Sequence, residues 1–338
     1  MERRRILTLG PLIVDIITSP LERMLRSGEG VATEVGIHPG GCSYNVSVDC
    51  AQLGGNRFDI TCIGAVGSDI FHDFFSRELT GRGVQPRLFP FPGERTGANI
   101  ILQVQGDERR FHTDAGANLQ LNPEEVCTVI GQVQPDCFCL GELSLLGACE
   151  RAIGRFCEAA RRCGALVVAD VVVMQDAEWK DLFDIAGLVD LFHCNDDEAF
   201  LISGTNDVHS ALRFFSERGF RLPVISRGKQ GLSWAWNGFR YSLAPFACKE
   251  IDATGAGDAF VSGTVIRLLD GGIGGASGRE LPAASESAIT EALLYGAASG
   301  ATAVTRIGCT GAVTGENVDA LCERQGERVR ASLTKEPL

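Results

Sequence analysis

The stretch Asp252-Ala-Thr-Gly-Ala-Gly-Asp258-Ala-Phe260 combines two acids with a run of small residues. Small side chains at 253 and 255–257 let the backbone turn tightly and come close to a ligand. A strand-like segment, Tyr241 to Ala244, precedes it, and an apolar helical pattern, Ala259 to Leu269, follows. The spacing therefore predicts a helix N-terminus at the glycines, where unpaired N–H groups and the helix dipole favour an anion. Asp258 would repel a phosphate that was merely held there. Its presence fits a carboxylate that takes a proton from a hydroxyl while neighbouring amides stabilise charge on a transferring phosphoryl group. The plainer reading is a glycine-capped turn between elements. The second acid and the helix start favour the chemical one.

Such a stretch needs a scaffold, and the chain offers alternating strands and helices. Ile6 to Leu9 reads as a buried strand ending at Gly10, and Ile13 to Ile17 continues apolar around the single acid Asp15. A carboxylate at the carboxyl end of a parallel strand lies where open α/β sheets bind ligands. His38-Pro-Gly40-Gly41 breaks the chain before a helical pattern from Ser43 to Leu53, with Asn45 in its first turn. Ile60 to Ala65 is a further strand, and Asp69 caps a helix through Leu79. Between about Val84 and Phe111 the pattern changes to short alternating runs. Thr96 to Val104, a Gly106-Asp107 turn and Arg109 to His112 read as a hairpin that, with residues 30–37, forms a small separate sheet. Asn122-Pro123 caps the next helix. Strands at Cys137–Leu140, 165–169 and 188–193 then alternate with helices, notably Ala148 to Cys163, which argues for a parallel, doubly wound α/β sheet. Asn195-Asp-Asp-Glu198 opens a helix directly after a strand, as capping alone would also explain. Glu291 to Thr305 reads as an alanine-rich helix suited to close packing.

The totals narrow the classes. A chain of 338 residues, 45% hydrophobic and 22% charged, holds a sizeable core. A net charge of −12 argues against a nucleic-acid partner, which would want a basic face. The 13 cysteines are odd in number and contain no C-x-x-C pair, so they read as reduced core thiols of a cytoplasmic protein. Arg3-Arg4-Arg5 before an apolar run imitates a secretory signal, but Asp15 interrupts the run and no small-x-small site follows. No segment approaches the roughly 18 apolar residues of a membrane span. A Walker A sequence is also missing, which leaves a P-loop kinase unsupported.

The 252–260 stretch resembles the signature of the ribokinase-like (PfkB) carbohydrate kinases at Asp252, Thr254, Gly255, Ala256, Gly257, Asp258 and Phe260. Gly40, Gly41, Asn45, Leu53 and Gly54 resemble the family's first signature, and Ala115-Gly-Ala-Asn118 resembles its G-A-N segment. Gly67-Ser-Asp69 resembles a further segment in which His72 replaces a glycine. The resemblance spans roughly residues 5–325 and implies a doubly wound, mostly parallel sheet flanked by helices, with a small β lid. It places one kinase domain at 1–330, a lid at about 28–40 and 84–114, and a short tail at 331–338.

The implied activity is ATP-dependent phosphorylation of a hydroxyl on a sugar or sugar-like molecule. Asp258 would be the general base, and Gly255, Ala256 and Gly257 the anion hole. Asp15, Gly40, Gly41, Asn45 and Glu142 would hold the acceptor. Asn195, Ser226, Gly228, Gly231, Thr254 and Gly257 would meet the nucleotide. Glu198 would help order Mg2+ through water, and Asp252 and Thr254, with Thr305 to Gly308, a monovalent cation such as K+. The lid implies a homodimer. Ile13, Cys42 and the apolar run after Asp170, through Met174, depart from ribokinase and fructokinase patterns, so a nucleoside acceptor is the alternative. A non-catalytic sugar-binding regulator is the competing class, which intact Asp258 and glycines disfavour.

Overall fold

The computed structural model describes residues 3–18, 21–102, 104, 110–172, 179–276, 278 and 280–338. Among these, ten strands form one sheet. Their spatial order is Thr334–Pro337, Phe239–Leu243, Leu232–Trp236, Leu222–Ser226, Leu191–Asn195, Leu166–Asp170, Cys137–Leu140, Arg4–Leu9, Phe58–Gly67 and Val84–Phe91. Pairings from Leu222–Ser226 to Val84–Phe91 are parallel, and those at the other end antiparallel.

Alternation along the strands feeds two cores. In Arg4–Leu9, Ile6 packs on one face of the sheet while Leu7 and Leu9 pack on the other. Helices Cys42–Gly54, Ala256–Asp270, Glu286–Ala303 and Gly315–Ala331 cover the first face. Helices Pro123–Val133, Ile153–Arg162, Asp196–Ser203 and Val208–Glu217 cover the second. The chain runs outward in both directions from Arg4–Leu9 and Cys137–Leu140, so strand order reverses there. The crevice beyond the carboxyl ends at such a reversal is where this architecture takes ligands.

A second sheet of four strands, in the order Val35–Gly40, Ile13–Thr18, Gly97–Leu102, Arg110–Asp114, stands apart from the first. Three expectations are corrected here. Asp15 does not end a strand of the main sheet: it lies on Ile13–Thr18, which pairs with Val35–Gly40 and Gly97–Leu102. Val84–Phe91, expected in the lid, pairs in parallel with Phe58–Gly67 and forms the edge of the main sheet. The expected tail contributes an edge strand, because Thr334–Pro337 pairs with Phe239–Leu243. The Gly106-Asp107 turn, Arg109 and Met174 lie outside the described residues. Two boundaries also shift: 3-10 turns at Gly147–Ala152 and Ala186–Leu188 precede the helix and the strand expected to begin there.

The join between the sheets is held by short polar anchors. Asn118 accepts from Leu12 N–H at 3.0 Å and donates to Leu12 O at 2.9 Å, fixing the chain as it enters Ile13–Thr18. Asp69 caps its helix through Phe71 N–H and also accepts from the backbone N–H of Thr96 at 2.7 Å. Sequence motifs with no chemistry of their own thus set the position of the small sheet.

Candidate active site

Helix Ala256–Asp270 carries Asp258, and small residues bring it close to its neighbour. A Cβ on Gly263 would stand 2.3 Å from Ser299 Oγ, and one on Gly296 would stand 2.1 Å from Thr264 Oγ1. Only glycine permits the two helices to touch there. Gly255 caps the helix with φ +78°, a left-handed conformation, and its missing Cβ would meet Cys309 Cβ at 2.7 Å. Ala256 N–H is taken by Ala253 O at 3.3 Å, while no backbone acceptor among the described residues meets Gly257 N–H. A donor at the positive end of the helix therefore remains for an anion.

Asp258 is buried, and Asn45 Nδ2 donates to its Oδ2 at 2.8 Å. Burial raises its carboxyl, and Asp170 adds to the rise; hydrogen bonds from Asn45 and Cys42 and the nearby His193 oppose it, leaving a pKa of about 7. Glu142 follows strand Cys137–Leu140 in a left-handed conformation, φ +55°. Burial, then Asp258, Asp170 and Asp15, push its carboxyl up to about 8. Asp15 approaches the same group of acids from the small sheet, its Oδ1 accepting from Asn99 Nδ2 at 2.9 Å. The glycine pair makes that approach possible: a Cβ on Gly40 would lie 2.2 Å from Asp15 Oδ2. Gly41, at φ +86°, caps helix Cys42–Gly54, and its own Cβ would strike Pro11 O at 2.2 Å. Asp15, Asn45, Glu142 and Asp258, distant in sequence, thus come to one region.

Ala256 and Gly257, just before Asp258, border a cavity of about 380 Å³. Ser226, Gly228, Gly231, Phe246, Ala256 and Gly257 are among its walls. Ala297, Gly300 and Ala301 complete it from helix Glu286–Ala303, so the alanine-rich pattern serves both helix packing and cavity lining. Thr254 is not among the lining residues; its N–H donates to Asp252 Oδ1 at 2.8 Å, and Asp252 Oδ2 accepts from Gly308 N–H at 3.1 Å. This joins the signature loop to the 305–308 segment. Asn195 and Glu198 form a reciprocal cap, with Glu198 N–H on Asn195 Oδ1 and Asn195 N–H on Glu198 Oε2, both at 2.8 Å. Neither lines the cavity. No helix among the described residues is long and apolar enough to cross a membrane.

Three polar residues of the site escaped the sequence reading. Asn99 holds Asp15, and Asp170 pairs with His193 at 2.8 Å inside the protein. The signal existed for two of them. Asp170 ends the apolar run Leu166–Asp170, and His193 interrupts Leu191–Asn195, as Asp15 interrupts its own run.

The sequence profile described as pfkB family carbohydrate kinase matches residues 3–314. The chain belongs to the PfkB family of carbohydrate kinases. Within this family, fructokinase-2 of Solanum lycopersicum is 26% identical over 315 residues, covering 90% of this chain and 91% of that one. The fold matches that of a ribokinase from Giardia lamblia, with TM-score 0.80 at 19% identity over 95% of this chain and 99% of the other. A ribokinase II chain from E. coli, solved with ATP and Mg2+, has TM-score 0.79 at 22% identity and the coverage is again 95% and 99%. This PfkB-family carbohydrate kinase therefore has the ribokinase-like fold, with a large, mostly parallel sheet and a separate small one.

Proposed function

We propose that this carbohydrate kinase transfers the γ-phosphoryl group of ATP to a hydroxyl of a sugar or sugar-like molecule, with Asp258 as general base. The observation that carries this reading is the place of Asp258: in the first turn of a helix, bonded to Asn45 and near Glu142, directly after Ala256 and Gly257, which line the cavity. A carboxyl raised to about 7 is ionised in part at neutral pH and basic enough to accept a hydroxyl proton. Asp15 and Asn45 would accept hydrogen bonds from the sugar's other hydroxyls, and Glu142, raised to about 8 and so mainly protonated at neutral pH, would donate one. Gly40 acts through the space it leaves for Asp15, and Gly41 through the close approach it permits to Pro11 O. The cavity would take the nucleotide, its apolar walls against the base and Ser226, Gly228 and Gly231 toward the phosphates. Gly257 N–H and the helix dipole would meet the charge on the transferring group. A coupled assay of ADP release over a panel of sugars, with fructose and ribose included and nucleosides as controls, tests the reading. No turnover with any sugar would overturn it.

Among the described residues no group of three or more His, Cys, Asp or Glu side chains could hold a metal ion. Mg2+ needs no such cluster, because it keeps its waters and binds through one or two carboxylates and substrate phosphates. Glu198 would reach it through water and Asn195 would lie near the phosphates, each giving up part of the helix cap. Mg2+ would neutralise charge on the phosphate oxygens. The loop around Asp252 and Thr254 and the 305–308 segment would offer carbonyl oxygens to a monovalent cation.

Asp15→Ala should raise the acceptor KM by the loss of a charge-assisted hydrogen bond worth about 1.5–3 kcal/mol. ATP affinity measured without acceptor should stay the same. Equal losses for both ligands would assign Asp15 to structure.

The small sheet would act as a lid and as a dimer contact. Asp15 and Asn99 share one of its faces, toward the site. On the other, Ile37 and Ile100 flank Ile16, and with Val35 they are exposed, at 53%, 50% and 55%. Such an apolar strip on an open sheet favours a second copy of the chain. Ile101, on the same face as Asn99, is 1% exposed and belongs to the interior. Ile37→Glu, with Ile100→Glu as its companion, should convert a dimer to a monomer in sedimentation. A wild-type protein monomeric at micromolar concentration would refute the contact.

A further inference from the structure

Strands Leu166–Asp170, Leu191–Asn195 and Leu222–Ser226 are neighbours, and toward their carboxyl ends they carry Asp170, His193 and Ser226. His193 is 2% exposed. Its Nδ1 lies 2.8 Å from Asp170 Oδ1, and its Nε2 lies 3.1 Å from Ser226 Oγ. Asp170 Oδ1 already accepts from Val171 N–H at 3.0 Å, so it is an acceptor and Nδ1 carries the proton. The ring packs on Phe260 with centroids 4.7 Å apart, and its Cε1 would be 3.4 Å from a Cβ on Gly257. The imidazole therefore lies directly beside the turn that opens helix Ala256–Asp270. In the mechanism above, it and Asp170 enter only through their effect on the Asp258 carboxyl.

We propose that the Asp170–His193 pair positions the phosphoryl donor, by turning the Ser226 hydroxyl into a directed hydrogen-bond donor toward the phosphate chain of the nucleotide. The inference rests on the reading that the cavity lined by Ser226 takes the nucleotide. A hydroxyl has one hydrogen and two lone pairs. When Nε2–H donates to Oγ, the hydroxyl hydrogen cannot point at His193 and turns toward the cavity. When Nε2 is bare, the hydroxyl hydrogen points back at the ring and only lone pairs face the phosphates. The two states of one imidazole thus have opposite effects on a bound anion.

The groups around the ring favour the first state. Burial alone would lower the His193 pKa, but three carboxylates outweigh it and raise it: Asp170 on the adjacent strand, Glu198 from helix Asp196–Ser203 and Asp258 from the catalytic helix. A raised base keeps its proton to higher pH, so the donating form of Ser226 is lost as pH rises through the His193 pKa.

The test is calorimetric titration of Mg-ATP into the intact protein without acceptor. His193→Phe keeps the ring stack on Phe260 and removes both N–H groups; it should raise the ATP Kd roughly tenfold. Ser226→Ala should do the same, and the double variant no more than either alone, since both remove one interaction. Asp170→Asn keeps an oxygen for Val171 and Nδ1 but replaces the carboxylate by a neutral amide. It should move the pH above which ATP binding weakens downward, an effect that a merely structural strand staple would not show. Additive single effects, an unchanged Kd in a folded His193→Phe protein, or an unmoved pH dependence in Asp170→Asn overturn the proposal. Should His193→Phe fail to fold, the Asp170→Asn profile decides. Ala301→Trp fills the cavity and separates the two readings. If it leaves ATP binding intact, the nucleotide assignment of the cavity falls; if it abolishes binding while the pair's variants do not weaken it, only this inference falls.

Discussion

Asp258→Asn is expected to lower turnover by ~10²–10⁴-fold with little change in acceptor or ATP binding. The substitution preserves shape and leaves an oxygen for Asn45 Nδ2, which donates to Asp258 at 2.8 Å. What disappears is the lone pair that would take the hydroxyl proton. The wild-type pH profile carries a second signature of the same group. A base works only when deprotonated, so kcat/KM should fall as pH drops through about 7, the value to which burial and Asp170 raise Asp258. Steady-state kinetics between about pH 5.5 and 8.5, ~1.5 units either side of neutrality, would show this acid limb. A folded Asp258→Asn protein with near-normal turnover would remove Asp258 from the base role.

Gly255→Ala is expected to cost ~10²–10³-fold in turnover, the size of effect seen when an anion-stabilising donor is lost. Two independent constraints act at this position. Its φ of +78° disfavours any side chain, and an added Cβ would meet Cys309 at 2.7 Å from Cβ and 2.9 Å from Cα. Backbone is among the atoms struck, so the turn itself must move. Gly257 N–H would then leave its line to the transferring group, while Asp15 and Asn45 stay in place. The expected kinetic pattern is a fall in kcat with acceptor KM nearly unchanged. Single-turnover measurements with a folded variant check it, and retention of wild-type kcat would show that the glycine serves folding alone.

Much of this protein was legible in its sequence. The run from Asp252 to Phe260 encodes a helix start in its small residues, and Asp258 falls in the first turn as the spacing predicted. Asp69, Asn122 and Asn195 cap the helices they were expected to cap, since a cap is a contact between residues two or three apart. The parallel sheet followed from strand and helix alternation, which needs only each element's own periodicity.

Tertiary structure decided the rest. Ile13–Thr18 and Val84–Phe91 are both short, partly apolar strands, and nothing within either states which sheet it joins. Thr334–Pro337 is exposed along its whole length, so no apolar pattern announced it; its backbone pairing with Phe239–Leu243 makes it a strand. Ile100 and Ile101 differ by one position and not at all in residue type, yet one is half exposed and the other buried. The strand's alternation fixes that they face opposite ways, and only the packing of the small sheet fixes which way is in. Asp170, His193 and Ser226 are separated by 23 and 33 residues and meet because three strands end side by side. Local sequence reports on contacts within one element; strand order and register, which bring distant polar groups together, are properties of the whole chain's hydrogen bonding and burial.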